Sequence, residues 1–113
     1  MLDKDSTEKI HKIADHYGLN HQLMKTVEEL NELSLECAKS WQKRSITVNL
    51  ISELADVEIM LEQIKYLGKI AESDIDEVKE YKIGRQLQRM SECTDECDIR
   101  NLIQVKMKKG VYS

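Results

Sequence analysis

Residues 20–41 read NHQLMKTVEELNELSLECAKSW, and residues 47–67 read TVNLISELADVEIMLEQIKYL. In the first stretch Leu23, Val27, Leu30, Ser34, Cys37 and Trp41 follow the i, i+4, i+7 rhythm of one buried helix stripe. Asn20 stands where a helix N-cap is needed, and the helix is expected to reach about Trp41. The second stretch is apolar nearly all round, with Leu50, Leu54, Val57 and Leu61 on one side and Met60, Ile64 and Leu67 on another. It predicts a helix over about Thr47–Leu67 that needs burial on several sides. Two long helices joined by a short polar loop, Gln42–Ser45, decide for an all-α fold.

Outward from this pair, Ser6 or Thr7 is expected to cap a first helix that runs to about Tyr17 and stops at Gly18. Gly68 marks the end of the third helix. Ser73 is expected to cap a fourth, with Asp74 and Asp76 in its first turn and its end near Met90. Beyond Ser91 the pattern is less decided: Cys93–Asp98 is acidic, and Asp98–Lys108 fits a short helix or an edge strand. The chain has 113 residues with four Gly and no Pro, so a many-turned β fold is disfavoured. The expectation is one domain, a four-helix bundle-like subunit.

Composition narrows the partners. Seventeen basic against 21 acidic residues leave a net charge of −4, which argues against a general polyanion binder, so no nucleic-acid partner is expected. One phosphorylated small molecule, held by a local basic cluster and a metal, remains compatible. The three cysteines, Cys37, Cys93 and Cys97, read as reduced thiols, and Cys93 and Cys97 as packing or an incidental pair rather than a metal site. MLDKDSTEKI carries no apolar signal stretch, and no apolar run approaches the ~18 residues of a membrane span. A cytoplasmic protein without a membrane partner is expected.

Chemistry enters through the acids. Glu28-Glu29-Leu30-Asn31-Glu32 lies on the second helix and Glu53-Leu54-Ala55-Asp56 on the third. Residues three apart on a helix share a face, about 60° apart around the axis. Glu29 with Glu32, and Glu53 with Asp56, therefore offer two oxygen ligands per helix, and facing helices would bring all four together. Hard oxygen ligands without His or Cys suit Mg²⁺ or Mn²⁺ rather than Zn²⁺. Glu28, Glu29, Glu32 and Glu36 lie roughly opposite the Leu23/Val27/Leu30 stripe, as solvated acids usually do. Glu53 and Asp56 do not fit that explanation. They fall on the face of Met60, Ile64 and Leu67, where carboxylates are costly unless paired or bound to a cation.

The fourth helix carries Lys82, Arg85, Gln86 and Arg89 at i, i+3, i+4, i+7. Such a ladder is commonly a solvated face. Beside an acidic metal site, its Lys and Arg can instead hold phosphate oxygens. Glu8-x-x-His11 has the spacing of a di-iron motif, but such sites need two copies and the chain has one. Trp41 reads as core, with base stacking the alternative. His16, Tyr17, Trp41 and Tyr81 are candidates to line a base pocket.

Glu-Glu-x-x-Glu followed after 20 residues by Glu-x-x-Asp resembles the MazG-like all-α nucleoside triphosphate pyrophosphatases. The resemblance spans about residues 7–90 and does not extend beyond Met90. It implies Mg²⁺-dependent cleavage of a nucleoside triphosphate to monophosphate and pyrophosphate. It implies Glu29, Glu32, Glu53 and Asp56 as metal ligands, with Glu28 at a position of more variable role. Lys82 matches a family Lys, and Gln86 stands where the family often has Asn. The family also forms dimers or dimers of dimers with the site near the subunit contact. A homo-oligomer, a homodimer or homotetramer, agrees with the all-round apolar third helix.

The chemistry is coherent on physical grounds. A triphosphate is repelled by an acidic site unless cations intervene, and bound Mg²⁺ reverses the local sign and activates a water. Glu28 or Glu32 would orient that water. Lys82, Gln86, Arg89 and Trp41 are the candidate substrate contacts. Two other readings stand beside this one: a non-enzymatic helical bundle that mediates association, and a hydrolase that releases orthophosphate stepwise.

Overall fold

The computed structural model describes residues 2–92, and every regular element among them is a helix. These are α1 (Lys4–Tyr17), α2 (Leu19–Lys43), α3 (Val48–Leu67) and α4 (Glu72–Glu92). The chain divides into two compact units, the first ending at Glu72 and the second starting at Ser73. None of the described helices is long and apolar enough to cross a membrane. Cys93, Cys97 and the 98–108 stretch lie outside the described residues.

Local chemistry sets the helix ends. Asp3, not Ser6 or Thr7, caps α1: its Oδ1 accepts from the Ser6 N–H at 2.8 Å, so the helix begins three residues before the expected cap at Thr7. Gly18 ends α1 with φ of 84°, its N–H donating to the Ala14 carbonyl at 2.8 Å. The same glycine opens α2, its carbonyl accepting from Gln22 N at 3.0 Å. One residue thus serves two helices, and its positive φ favours glycine there. Asn20 is therefore inside α2 and not its cap. Ser73 is likewise inside α4, which starts at Glu72.

The turn between α2 and α3 is tied more elaborately. Arg44 adopts a left-handed conformation (φ 53°) as the α2 C-cap, and Ser45 N donates to the Ser40 carbonyl at 3.1 Å. Thr47, expected as the first residue of the third helix, is instead the α3 N-cap, accepting from Leu50 N at 3.1 Å. Its hydroxyl donates to Glu36 Oε2 at 3.1 Å, and its own N–H donates to Ser40 Oγ at 3.3 Å. Lys39 closes the set on Glu36 Oε1 at 3.1 Å.

α3 is the centre of the first unit, packing on both α1 and α2. Its Leu50, Val57 and Met60 join Ile10 and Ala14 of α1 in a small apolar core. At the α1–α3 contact His11 stacks on Tyr66 with ring centroids 4.0 Å apart and binds Glu62 through Nε2 at 2.9 Å. Tyr66 donates its hydroxyl to Asp15 at 2.8 Å. His11 is thus a clamp between helices, which accounts for the lone Glu-x-x-His without iron.

The expected buried stripe of α2 is corrected. Leu23, Val27, Leu30, Cys37 and Trp41 are exposed in the single chain. The buried positions are Gln22, Thr26, Glu29, Glu36 and Ser40. Each stands one residue before a member of the apolar stripe, so the rhythm is right and the face is turned by about 100°. The buried side chains are polar but largely paired. Thr26 bonds back to the Gln22 carbonyl at 2.6 Å, Gln22 bonds Gln63 of α3, and Glu36 and Ser40 bond Thr47.

Candidate metal centre and adjoining cavity

Glu29 enters the α2–α3 contact because it shares the buried polar face with Gln22 and Thr26, and is only 8% exposed. From α3, Glu53 and Asp56 are half-buried on the face that also holds buried Met60 and half-buried Ile64 and Leu67. One carboxylate oxygen from each of Glu29, Glu53 and Asp56 lies within 4.8 Å of the others. Glu32, one turn beyond Glu29 and exposed, is within hydrogen-bonding reach of Glu53. Three of the four acids with ligand spacing in the sequence, Glu29, Glu53 and Asp56, are therefore gathered around one point, and Glu32 flanks it beside Glu53.

The electrostatics of this point are uncompensated on one side. Glu29 Oε1 takes Lys25 Nζ at 3.3 Å, while Glu29 Oε2 is buried without a partner. Glu53 Oε2 is also buried without a partner. Loss of water around Glu53, then the like charges of Glu32, Asp56 and Glu29, raise its carboxyl above the ordinary value. Lys25, which also pairs with Glu28 at 3.4 Å, is held more firmly protonated by those two acids.

A cavity of about 590 Å³ opens beside the cluster, with Glu28, Glu29 and Asp56 in its wall. Its remaining lining comes from α1, α2 and α3, including Tyr17, His21, Gln22 and Gln63. The volume is within the range of small-molecule sites, about 300–1,000 Å³. Comparison of the chain with protein-family models, with curated proteins and with solved structures gives no match. The site is therefore read from its own geometry.

The other candidates are placed as follows. Tyr17 lines this cavity, whereas His16 stands edge-on to Tyr17 at 4.7 Å. Trp41 is 79% exposed and twelve residues from Glu29, about 18 Å along α2, so within one chain α2 does not bring it to the cavity. Lys82, Arg85, Gln86 and Arg89 share one face of α4 in the second unit, lining a shallow groove together. Arg85 also lies over the Tyr81 ring, 5.8 Å from its centroid. Glu62 is engaged by His11 and by Lys65.

Sequence reasoning passed over Lys25, Gln22 and Gln63. Lys25 was detectable, since Glu28 and Glu29 stand at i+3 and i+4 from it, where helical ion pairs form. The two glutamines carried no signal, because nothing in spacing marks a polar residue as central to a contact.

Proposed function

We propose that the chain is a Mg²⁺-dependent nucleoside triphosphate pyrophosphohydrolase, releasing a monophosphate and pyrophosphate. The observation that carries this reading is the pair of buried, unpartnered carboxylate oxygens on Glu29 and Glu53, converging with Asp56 beside a nucleotide-sized cavity. Buried anions of this kind are costly unless a cation meets them. An all-oxygen donor set suits Mg²⁺ or Mn²⁺. Glu29, Glu32, Glu53 and Asp56 would hold the metal, which when bound polarises phosphoryl oxygens and lowers the pKa of water.

The protein groups have separate tasks. Glu28 or Glu32, both exposed, would orient the attacking water and accept its proton. Attack at the α-phosphorus forms a new P–O bond, breaks the α–β bridging bond and sends pyrophosphate out as leaving group. Lys82, Gln86 and Arg89 are the candidates for triphosphate oxygens, and Trp41 for stacking on the base. The exposed Leu23, Val27 and Leu30 of α2 and Leu54 and Leu61 of α3 support a homodimer or homotetramer, and a cytoplasmic setting belongs to the same proposal.

The test is a panel of nucleoside triphosphates with Mg²⁺, read out as pyrophosphate and monophosphate. Orthophosphate as first product would replace the reaction class. No turnover, together with no Mg²⁺-induced rise in melting temperature, would leave a non-enzymatic association module as the reading.

A further inference from the structure

The cavity wall contains a directed chain of hydrogen bonds that the carboxylates do not use. Gln63, only 1% exposed, points Nε2 at the backbone carbonyl of Ile10, 3.3 Å away. A backbone carbonyl can only accept, so the amide orientation of Gln63 is determined and its Oε1 must face Gln22. Gln22, also buried, answers with its nitrogen: Nε2 donates to Gln63 Oε1 at 2.6 Å. That leaves Gln22 Oε1 turned to His21 Nδ1 at 2.7 Å. An amide oxygen also only accepts, so Nδ1 of His21 carries the hydrogen. In a neutral imidazole the other nitrogen, Nε2, is then a lone-pair acceptor. Among the described residues Nε2 makes no hydrogen bond. The Tyr17 ring stacks on His21 with centroids 4.7 Å apart and restrains its rotation.

We propose that His21 is a specificity-determining residue. Its Nε2, held as an acceptor by the Gln22–Gln63–Ile10 chain, selects a nucleobase with an exocyclic amino group over the same ring lacking it. This rests on the nucleotide reading of the cavity. His21 lies eight residues before Glu29, about 12 Å along α2, which separates a base at His21 from phosphates at the carboxylates. A carbonyl in place of the amino group sets two acceptors against each other, a larger loss than an absent bond.

The experiment compares pairs of triphosphates that differ in one group: cytidine against its 4-deamino analogue, and adenosine against purine riboside. For the ring size that fits, kcat/KM should favour the amino member by about ten-fold in the natural protein. His21→Asn keeps a donor near the Nδ1 position but has no acceptor at the outer position, so the ratio should fall to about one. His21→Gln restores an outer acceptor, and the ratio should recover in part. Equal ratios in the natural protein and His21→Asn would overturn the proposal. Nitrogen-15 NMR gives an arm that needs no turnover. His21 should be the Nδ1–H tautomer, and free adenosine or cytidine should perturb Nε2 where the deamino nucleoside does not. A hydrogen on Nε2, or no perturbation by any nucleoside, would overturn the proposal. Absence of hydrolysis with the expected NMR response would instead condemn only the pyrophosphatase reading.

Discussion

Glu29 and Glu36 sit on the same buried face of α2, seven residues apart, and each is less than 10% exposed. Their surroundings differ. Both oxygens of Glu36 are engaged, one by Lys39 and the other by the Thr47 hydroxyl, in a network that also caps α3. Glu29 has one oxygen on Lys25 and one buried with nothing, facing Glu53 and Asp56 across the helix contact. Burial of a carboxylate is thus no sign of function by itself. Glu36 fastens a turn, whereas Glu29 belongs to a cluster of like charge that Lys25 balances only in part, and it is there that the proposed cation would sit.

The sharpest way to break this contrast is to remove the cation or its ligands. Chelation with EDTA, Glu53→Gln and Asp56→Asn should each abolish turnover, a loss of roughly a thousand-fold or more where a metal supplies several kcal/mol. Circular dichroism should show unchanged helix content, and the metal-free melting temperature of Glu53→Gln should equal or exceed that of the parent. Turnover that persists in EDTA would remove the mechanism.

A smaller effect tests whether the function extends beyond the cluster to the α4 ladder. Lys82→Ala and Arg89→Ala should raise KM or lower kcat by about ten- to a hundred-fold, the worth of a charged hydrogen bond to phosphate. Calorimetric Mg²⁺ binding to the free variants should be unchanged. Arg85→Ala should cost less, since Arg85 rests over Tyr81. Near-parental kinetics for all three would make the ladder an ordinary solvated face.

The turn should respond in the opposite sense. Thr47→Ala removes both the α3 cap and the Glu36 partner, and should destabilise by about 1–2 kcal/mol in chemical denaturation. Specific activity per folded molecule should hold. Loss of activity at full stability would place the turn in the site and erase the distinction drawn between Glu29 and Glu36.

The smallest effect is a pH slope. The Glu53 carboxyl lies above its ordinary value, so its charged form is disfavoured in the folded state. That penalty is full above the raised value, fades as pH falls from the raised value towards the ordinary value of 4.5, and is gone below it. For this group alone, metal-free stability should rise as pH falls from neutral through the weakly acid range. Glu53→Gln should flatten that part of the slope, and so should Mg²⁺. An identical slope in parent and variant would show that Glu53 is not the group under strain.

Much of this was legible in the residues alone. Helical periodicity, Gly18 as a stop and a third helix beginning near Thr47 follow from local backbone chemistry, which neighbouring residues decide among themselves. Glu53 and Asp56 were conspicuous because α3 is so apolar that acids on its Met60 face stand out. The face of α2 was decided only by tertiary contact. Its apolar stripe and its polar stripe have the same period, and either satisfies a helix. Which one turns inward depends on what α3 and the α2–α3 turn present. Gln63 and Thr47 are polar, and they draw Gln22, Glu36 and Ser40 rather than Leu23, Val27 and Leu30; Glu29 follows on the same stripe although Glu53 and Asp56 repel it. Hydrogen-bond complementarity between two helices is a property of the pair, so no spacing within one of them records it.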